Sequence, residues 1–410
     1  MAIDDPTPAG EVTPSVEIAP ARRAGLPAMP SVHGDSPTVG FLELFYDLVF
    51  VASTMVLSNA FSERLTWHWA GVCSIVFALI WLLWFHTTLL MNVERRDDFG
   101  HRTLVLVQMF LIAMTTLAFV DRNYTATDYL GGTYGAAVIV VGMMYHRVHK
   151  RSDDIAEWAR LRRNRLLLGG GLMLINSFTD DWVDNIVFLV AIVILVTPTR
   201  FGPVKRAPLP RVDVHHLTER AALLTLIMCG EAFVKVSLVV SGALDRADIT
   251  AIVVEFVVVF ALFWTYFDDV PLARVRPGKV TAELWMLAHL PLQLGIVALA
   301  VGMSKFLQVQ DHVYYEAIII LSVAFALIYG GLAAVGLLGD RRPYRPLLLL
   351  RLATVLLAVA AGSVFWNRGW EPSPFLGILA LLAVLHAVVA SRLRLRTTVD
   401  PGEPLAVAPQ

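Results

Sequence analysis

Residues 67–91 read WHWAGVCSIVFALIWLLWFHTTLLM, with no Asp, Glu, Lys or Arg in the run. About 20 mostly apolar residues carry a helix across the hydrocarbon core of a bilayer, so this stretch alone reads as a membrane span. The pattern recurs along the chain. Apolar runs bounded by charge, Pro or Gly fall at roughly 41–61, 67–91, 102–120, 129–147, 164–178, 181–198, 216–241, 249–270, 281–303, 314–338, 347–367 and 374–392, twelve candidate spans. The fifth is short and contains Gly169-Gly170-Gly171, a triplet that costs helix stability. Joining it to the sixth would leave eleven spans and invert every later one.

The charges between the runs decide the count. With twelve spans and a cytoplasmic start, 27 of the 33 Lys and Arg residues fall in inner segments. Five (Arg64, Arg122, Arg246, Lys305 and Arg368) fall in outer loops, and Lys235 lies inside a span. The positive-inside rule expects that asymmetry, and it holds on both sides of the doubtful fifth span. The expectation is an all-α, twelve-helix, multi-pass membrane protein with both termini cytoplasmic. Trp67, Trp69, Trp182, Trp366 and Trp370 then lie near the outer surface, as interfacial anchors do.

Composition narrows the function. Hydrophobic residues make up 57% of the 410 and charged residues 16%, with mean hydropathy +0.64. Soluble proteins run at roughly 45–50% and about 25%, so an ordinary soluble enzyme is excluded. A net charge of −1 excludes a broadly basic nucleic-acid binder. Cys73 and Cys229 sit in apolar runs without metal spacing and read as small buried hydrophobes. No Walker loop, HExxH or GxSxG occurs, and nothing points to a metal or cofactor. His215-His216 reads as a neutral helix start rather than a metal site.

Residues 1–36, rich in Pro, Ala and acids, and 397–410 read as disordered cytoplasmic tails, with no signal peptide expected. The basic stretch 150–165, KRSDDIAEWARLRRNR, spaces Ile155, Trp158 and Leu161 at three-residue steps. It reads either as a short amphipathic helix on the inner leaflet or as a solvated connector that fixes topology. Val76-Phe77-Ala78-Leu79-Ile80-Trp81 matches Val259-Phe260-Ala261-Leu262-Phe263-Trp264 six spans later. That offset suggests two six-helix halves, 37–199 and 216–396, joined by a cytoplasmic linker at 200–215. Halves with an even number of helices run parallel, as in many secondary transporters.

A charge at mid-bilayer costs at least ~2.5–3.5 kcal/mol, so ionisable residues in the spans are candidate site residues. Glu43 and Asp47 stand four apart, on one helical face. Glu231 lies twelve residues beyond Glu219, about 18 Å at helical rise, near mid-membrane, with Lys235 one turn on. These four form the expected proton, cation or substrate site. His86, Glu219, Arg220, Asp268 and His289 are expected to line an inner vestibule, and His386 lies in the last span. Each has a plainer reading: terminal acids reach the interface or pair with Arg220, Lys235 neutralises Glu231, and histidines pack.

Glu43-Leu44-Phe45-Tyr46-Asp47-Leu48-Val49-Phe50-Val51 resembles the string that opens the first helix of the bacterial low temperature requirement protein A family. Glu219-Arg220 followed by Leu226-Ile227-Met228-Cys229-Gly230-Glu231 is similar to that family's Glu-Arg…Leu-Gly-Glu helix, and Tyr266-Phe267-Asp268 is a third match. The strings keep the family's order, and its many-helix pattern covers about 37–396. The chain departs at Ala221-Ala222-Leu223, where an aromatic and Gly are usual, and at Cys229 and Lys235. The resemblance implies a membrane location and marks these acids; it implies no reaction. The reading is a secondary transporter of an unidentified small solute or ion, with proton coupling through Glu43 and Asp47 and the lipid bilayer as its surroundings. A membrane-embedded enzyme or lipid-handling protein, or a sensor or scaffold, would use the same acids differently.

Overall fold

The computed structural model describes residues 39–94, 98–120, 127–178, 182–197, 210, 212–241, 249–270, 275, 281–307, 314–339 and 345–398. The expected tails, apart from the last residues of the final helix, and most of the expected linker at 200–215 lie outside these residues. Helices run in the order α1 (Phe41–Glu63), α2 (Trp67–Val93), α3 (Phe99–Val120), α4 (Thr127–Arg151), α5 (Ala156–Asn176), α6 (Trp182–Val196) and α7 (Val214–Ser241). They continue with α8 (Ile249–Phe267), α9 (Thr281–Leu287), α10 (His289–Leu307), α11 (Tyr314–Leu338), α12 (Arg345–Arg368) and α13 (Ser373–Thr398). Each expected span has a helical rod. α9 and α10 are one rod, interrupted because Pro291 has no N–H for the Leu287 carbonyl. Among the described residues, eight rods are long and apolar enough to cross a membrane, and two shorter apolar stretches, Asn185–Val196 and Ile252–Phe267, accompany them. This is a multi-pass membrane protein.

Side-chain contacts gather one set of helix ends together. Glu43 near the start of α1 meets His216 near the start of α7, and Asn92 at the end of α2 meets Asp213 just before α7. Arg162 of α5 reaches His86 of α2 and Glu283 of α9. Asp268, just past the end of α8, meets Arg394 near the end of α13. Helices therefore alternate in direction, and the segments that gather are the arginine-rich ones. We call this the basic end and the opposite one the far end. Asp98 caps α3 there through the His101 N–H and accepts from Arg151 at 2.8 Å and Arg147 at 2.6 Å. The Arg151 hydrogen bond, then the cap and Arg147, hold its carboxyl well below the usual carboxylate range. A depressed folded value means this clasp is intact above the ordinary carboxylate pKa and lost only in strong acid. Mild acidification to pH 5 should leave the hydrogen-exchange protection of the first turn of α3, corrected for the intrinsic pH dependence of exchange, unchanged.

The glycine triplet has a packing cause. α5 starts eight residues before the expected fifth span and crosses α4 closely. A Cβ on Gly135 would sit 2.7 Å from the Gly170 carbonyl oxygen, and one on Gly170 would sit 2.9 Å from that of Gly135. Small residues let backbones approach in the absence of a hydrophobic drive between helices, so what an isolated helix loses the crossing regains. α10 and α11 meet the same way at Gly331, where a Cβ would lie 2.8 Å from the Leu292 amide nitrogen. Gly170→Val should force these backbones apart and cost roughly 1–3 kcal/mol or more, read as earlier thermal aggregation in detergent. Gly171→Val, where a Cβ meets nothing within 4 Å, should be mild.

Neither reading of the 150–165 stretch survives intact. The chain continues α4 to Arg151, makes a short 3₁₀ turn at Asp153–Ile155 and enters α5. Trp158 and Arg162 are buried in the bundle, not laid on a leaflet or left in solvent. Their burial follows from Tyr145 and Phe85, whose rings supply the surfaces they pack on. Cys73 and Cys229 are buried and unbridged, as expected. Of the expected anchors, Trp67, Trp366 and Trp370 are exposed at the far end and Trp69 stacks on Phe119; the side chain of Trp182 lies outside the described residues. The matched hexapeptides occupy α2 and α8 but differ in setting: Trp81 is fully buried, Trp264 is 57% exposed.

Candidate functional site

The two helices with the most intramembrane charge, α1 and α7, pack on each other. Gly40 begins α1, and the Glu43 carboxylate folds back to accept from the Gly40 N–H. Asp213 begins α7 by accepting from the His216 N–H. These caps set the register. Glu43 and Asp47 occupy one turn of α1; His216 and Arg220 occupy one turn of α7. The turns face each other, acids against bases. His216 Nε2 lies 3.1 Å from Glu43 Oε2, and Arg220 Nη2 donates to Asp47 Oδ1 at 2.7 Å. Arg220 Nη1 lies 4.0 Å from Glu43, within reach of the second acid.

Partners fix the chemistry of each group. Asn92 donates to His216 Nδ1, so Nε2 carries the ring proton and donates to Glu43. Trp84 Nε1 donates to the same Asp47 oxygen at 2.7 Å. Asp47 and Arg220 are both fully buried. Asp47 Oδ2 and Arg220 Nε and Nη1 have no hydrogen-bond partner among the described residues. A desolvated pair with one spare acceptor and two spare donors can bind or exchange a further polar group.

A second polar layer lies further along α7. Gln293 of α10 donates to Thr225 at 3.1 Å and accepts from Trp81 Nε1 at 2.6 Å. Trp81 and Trp84 lie one turn apart on α2, so that helix serves both layers. The third layer is at Ser58, eleven residues past Asp47 and so about 16 Å along α1. Its hydroxyl donates toward Glu231 Oε1 at 3.2 Å and accepts from Lys235 Nζ at 3.0 Å. Glu231 and Lys235 thus meet through Ser58 rather than in a direct ion pair. Phe50, Val51 and Leu57 of α1 and Leu224 and Met228 of α7 are buried between the first and third layers. The acids expected to share one cavity instead occupy two levels of one seam, and neither faces lipid.

The residues expected to line one inner vestibule do not meet. Arg220 is the partner of Asp47. Glu219, its neighbour, is half-buried on another face of α7. His86 has Nε2 3.1 Å from the Leu195 carbonyl, leaving Nδ1 to accept from Arg162 at 3.0 Å. Both ring nitrogens are therefore committed in the neutral form, a locking role. His289 gives its Nδ1 proton to the Trp285 carbonyl one turn back. Asp268 pairs with Arg394 at 2.6 Å and accepts from Ser391, tying α8 to α13. The cause is local: Arg220, His86 and Asp268 each take a partner from a helix packed beside them, as a bilayer interior favours, and so are drawn apart from one another.

Three site residues escape a search for ionisable groups: Trp84, Ser58 and Gln293 are not titratable at neutral pH. His216 reads as a helix start in the sequence, and its place one turn before Arg220 is the signal that could have found it. Glu255 of α8 is a lone acid in an apolar run. It is fully buried, and neither carboxylate oxygen has a hydrogen-bond partner among the described residues. Among those residues, no three His, Cys, Asp or Glu side chains group as a metal site would.

A family model described as bacterial low temperature requirement A protein (LtrA) matches residues 38–392. An uncharacterized protein of Rhizobium meliloti (strain 1021) is 24% identical over 287 residues, covering 65% of this chain and 69% of that protein.

Proposed function

Since the chain belongs to the bacterial low temperature requirement A protein family and crosses a membrane several times, we propose that it is a secondary transporter of a small solute, with its polar path along the α1–α7 seam. The observation that carries this reading is the pair of charged layers on that seam, Asp47–Arg220 and Ser58–Glu231–Lys235, both made between the first six helices and α7. Asp47 is the proton or cation carrier. Loading it releases Arg220 toward Glu43, 4.0 Å away, and that shift of one guanidinium between two acids is the two-state element that coupling requires. Glu231 and Lys235 form the far-end binding level. His86 and Asp268 serve as locks.

The same reading holds twelve crossings of the bacterial inner membrane, both termini cytoplasmic, and two parallel six-helix repeats, 37–199 and 216–396. Two observations support the repeats. Helix pairs α1·α2, α1·α3, α3·α4, α4·α5 and α5·α6 pack, and so do their counterparts α7·α8, α7·α10, α10·α11, α11·α12 and α12·α13. The equivalent helices α5 and α12 each carry a buried arginine at their seventh residue, Arg162 and Arg351. Arg162 holds His86 near the basic end of α2; Arg351 holds Asp269 just past the end of α8.

A solute screen in proteoliposomes, with and without an imposed pH gradient, tests the function. Accumulation that needs the gradient is the expected result. Topology is tested by reporter fusions after Asp153 and at the C-terminus, which should both read cytoplasmic; an external C-terminal reporter would remove the twelve-crossing arrangement.

A further inference from the structure

A crevice of about 100 Å³ opens on the far half of the bundle between α1 and α2 on one side and α10 and α11 on the other. Its mouth is at the bilayer-facing surface, where Trp67 and Val323 are 71% and 43% exposed. Leu57, Cys73, Phe77 and Val297 line the interior, and among the described residues its hydroxyl groups are those of Ser58 and Ser74. Ser74 is occupied by its own helix, donating to the Ala70 carbonyl at 2.7 Å. Ser58 is different. Its single proton goes to Glu231 or to the Met55 carbonyl, and one of its two lone pairs takes the Lys235 N–H. The second lone pair remains for a donor arriving through the crevice.

We propose that this crevice admits the substrate, and that the substrate is a lipid-dissolved amphiphile: an alkyl chain with a hydroxyl or protonated carboxyl at its tip, recognised by Ser58. Sugars and free amino acids would leave most of their polar groups without partners against these walls, at a cost of about 1–3 kcal/mol each. An alkyl segment loses nothing on leaving the bilayer, and a site of this order of size suits it: an apolar cavity of ~150 Å³ takes a benzene. Specificity then comes from the one hydroxyl, which is also the link between Glu231 and Lys235. A donor on the second lone pair shares that oxygen with Lys235, so occupancy weakens the Lys235 contact and loosens the charged layer behind it. This names the substrate class of the proposed transporter; binding in the crevice stands without that reading, and only the transport step after binding rests on it.

Photolabelling reports occupancy directly. The full-length protein in phosphatidylcholine vesicles is irradiated with a decanol that carries a diazirine on its alkyl chain, and labelled peptides are resolved by mass spectrometry. The crevice segments around Cys73 and Val297 should be labelled, and 1-decanol at ~10 times its dissociation constant should reduce that labelling roughly tenfold, as mass action requires. Decane, which partitions but offers no donor, should protect far less. Ser58→Ala should abolish the difference between decanol and decane. Absence of label at these segments, equal protection by decane and decanol in the native protein, or protection by glutamate or glucose instead would each overturn the proposal. The readout needs no transport, so protection without gradient-driven uptake would sink the transporter reading alone, and uptake without protection would sink this one alone.

Discussion

Asp47→Asn is expected to abolish gradient-driven uptake and to lower stability substantially. Asn keeps the shape and can still accept from Trp84 Nε1, but it cannot carry charge or load and release a proton. Arg220, fully buried, loses the anion 2.7 Å away and keeps only Glu43, at 4.0 Å. Removing one member of a buried ion pair typically costs ~3–5 kcal/mol, because the other charge stays desolvated. Loss of uptake by itself would therefore not distinguish a carrier from a prop. Asp47→Asn combined with Arg220→Gln does distinguish them. Neutralising both partners should recover most of the lost stability, measured as the temperature at which half the detergent-solubilised protein remains monodisperse. Uptake should stay absent if Asp47 is the carrier. Recovery of uptake in the double variant would make the pair a structural brace and move the coupling role to Glu231. Arg220→Gln alone should also fail, since it removes the guanidinium proposed to move between Asp47 and Glu43.

The seam is half legible in the residues. Asp47, Glu43, Glu231 and Lys235 stand out because charges in apolar runs are rare, and Arg220 is recognisable as a partner for Glu43. The groups that complete the seam are hidden because Trp84, Ser58 and Gln293 look like filler in a membrane helix. Only the packing of α1 against α2, α7 and α10 shows that the Trp84 N–H and the Ser58 O–H are aimed at acids and that Gln293 links Trp81 to Thr225 between them. Vertical separation is hidden too. Counting rise along α7 places Glu231 relative to Glu219, but the buried Phe50, Val51 and Leu57 between the layers belong to the fold. The glycine triplet shows the opposite failure. Helix propensity marks a weakness where the neighbouring helix, unknown to local reasoning, turns it into a close crossing at Gly135 and Gly170. Loop charge groups Arg162 and Arg351 with the other basic-end residues while concealing that both are buried, since the positive-inside rule counts charge without regard to depth.

That concealed arginine, Arg162, carries the second large effect. It donates to His86 Nδ1 at 3.0 Å, pairs with Glu283 Oε1 at 2.7 Å, and lies over the rings of Phe85 and Trp158 at 5.7 and 5.6 Å. One side chain thus holds α2, α5 and α9 together at the basic end. Arg162→Met preserves much of the stem's packing but strands a buried carboxylate and an imidazole acceptor, so a loss of ~3–5 kcal/mol is expected. Arg162→Lys should recover only part of it, because a point charge cannot address Glu283 and His86 in the fixed fork geometry of a guanidinium. Arg351→Met is the informative comparison. Asp269 keeps Arg394 Nε at 3.6 Å when Arg351 is removed, so its charge is not abandoned and the loss should be clearly smaller. Adding Glu283→Gln to Arg162→Met should regain stability, since the uncompensated charge, not the missing contact, is the larger cost. Equal stability of Arg162→Met and the native protein would mean that Glu283 finds another partner and that the link between α5 and α9 is dispensable. A selective loss that Glu283→Gln repairs would establish Arg162 as the tie that holds α2, α5 and α9 together at the basic end.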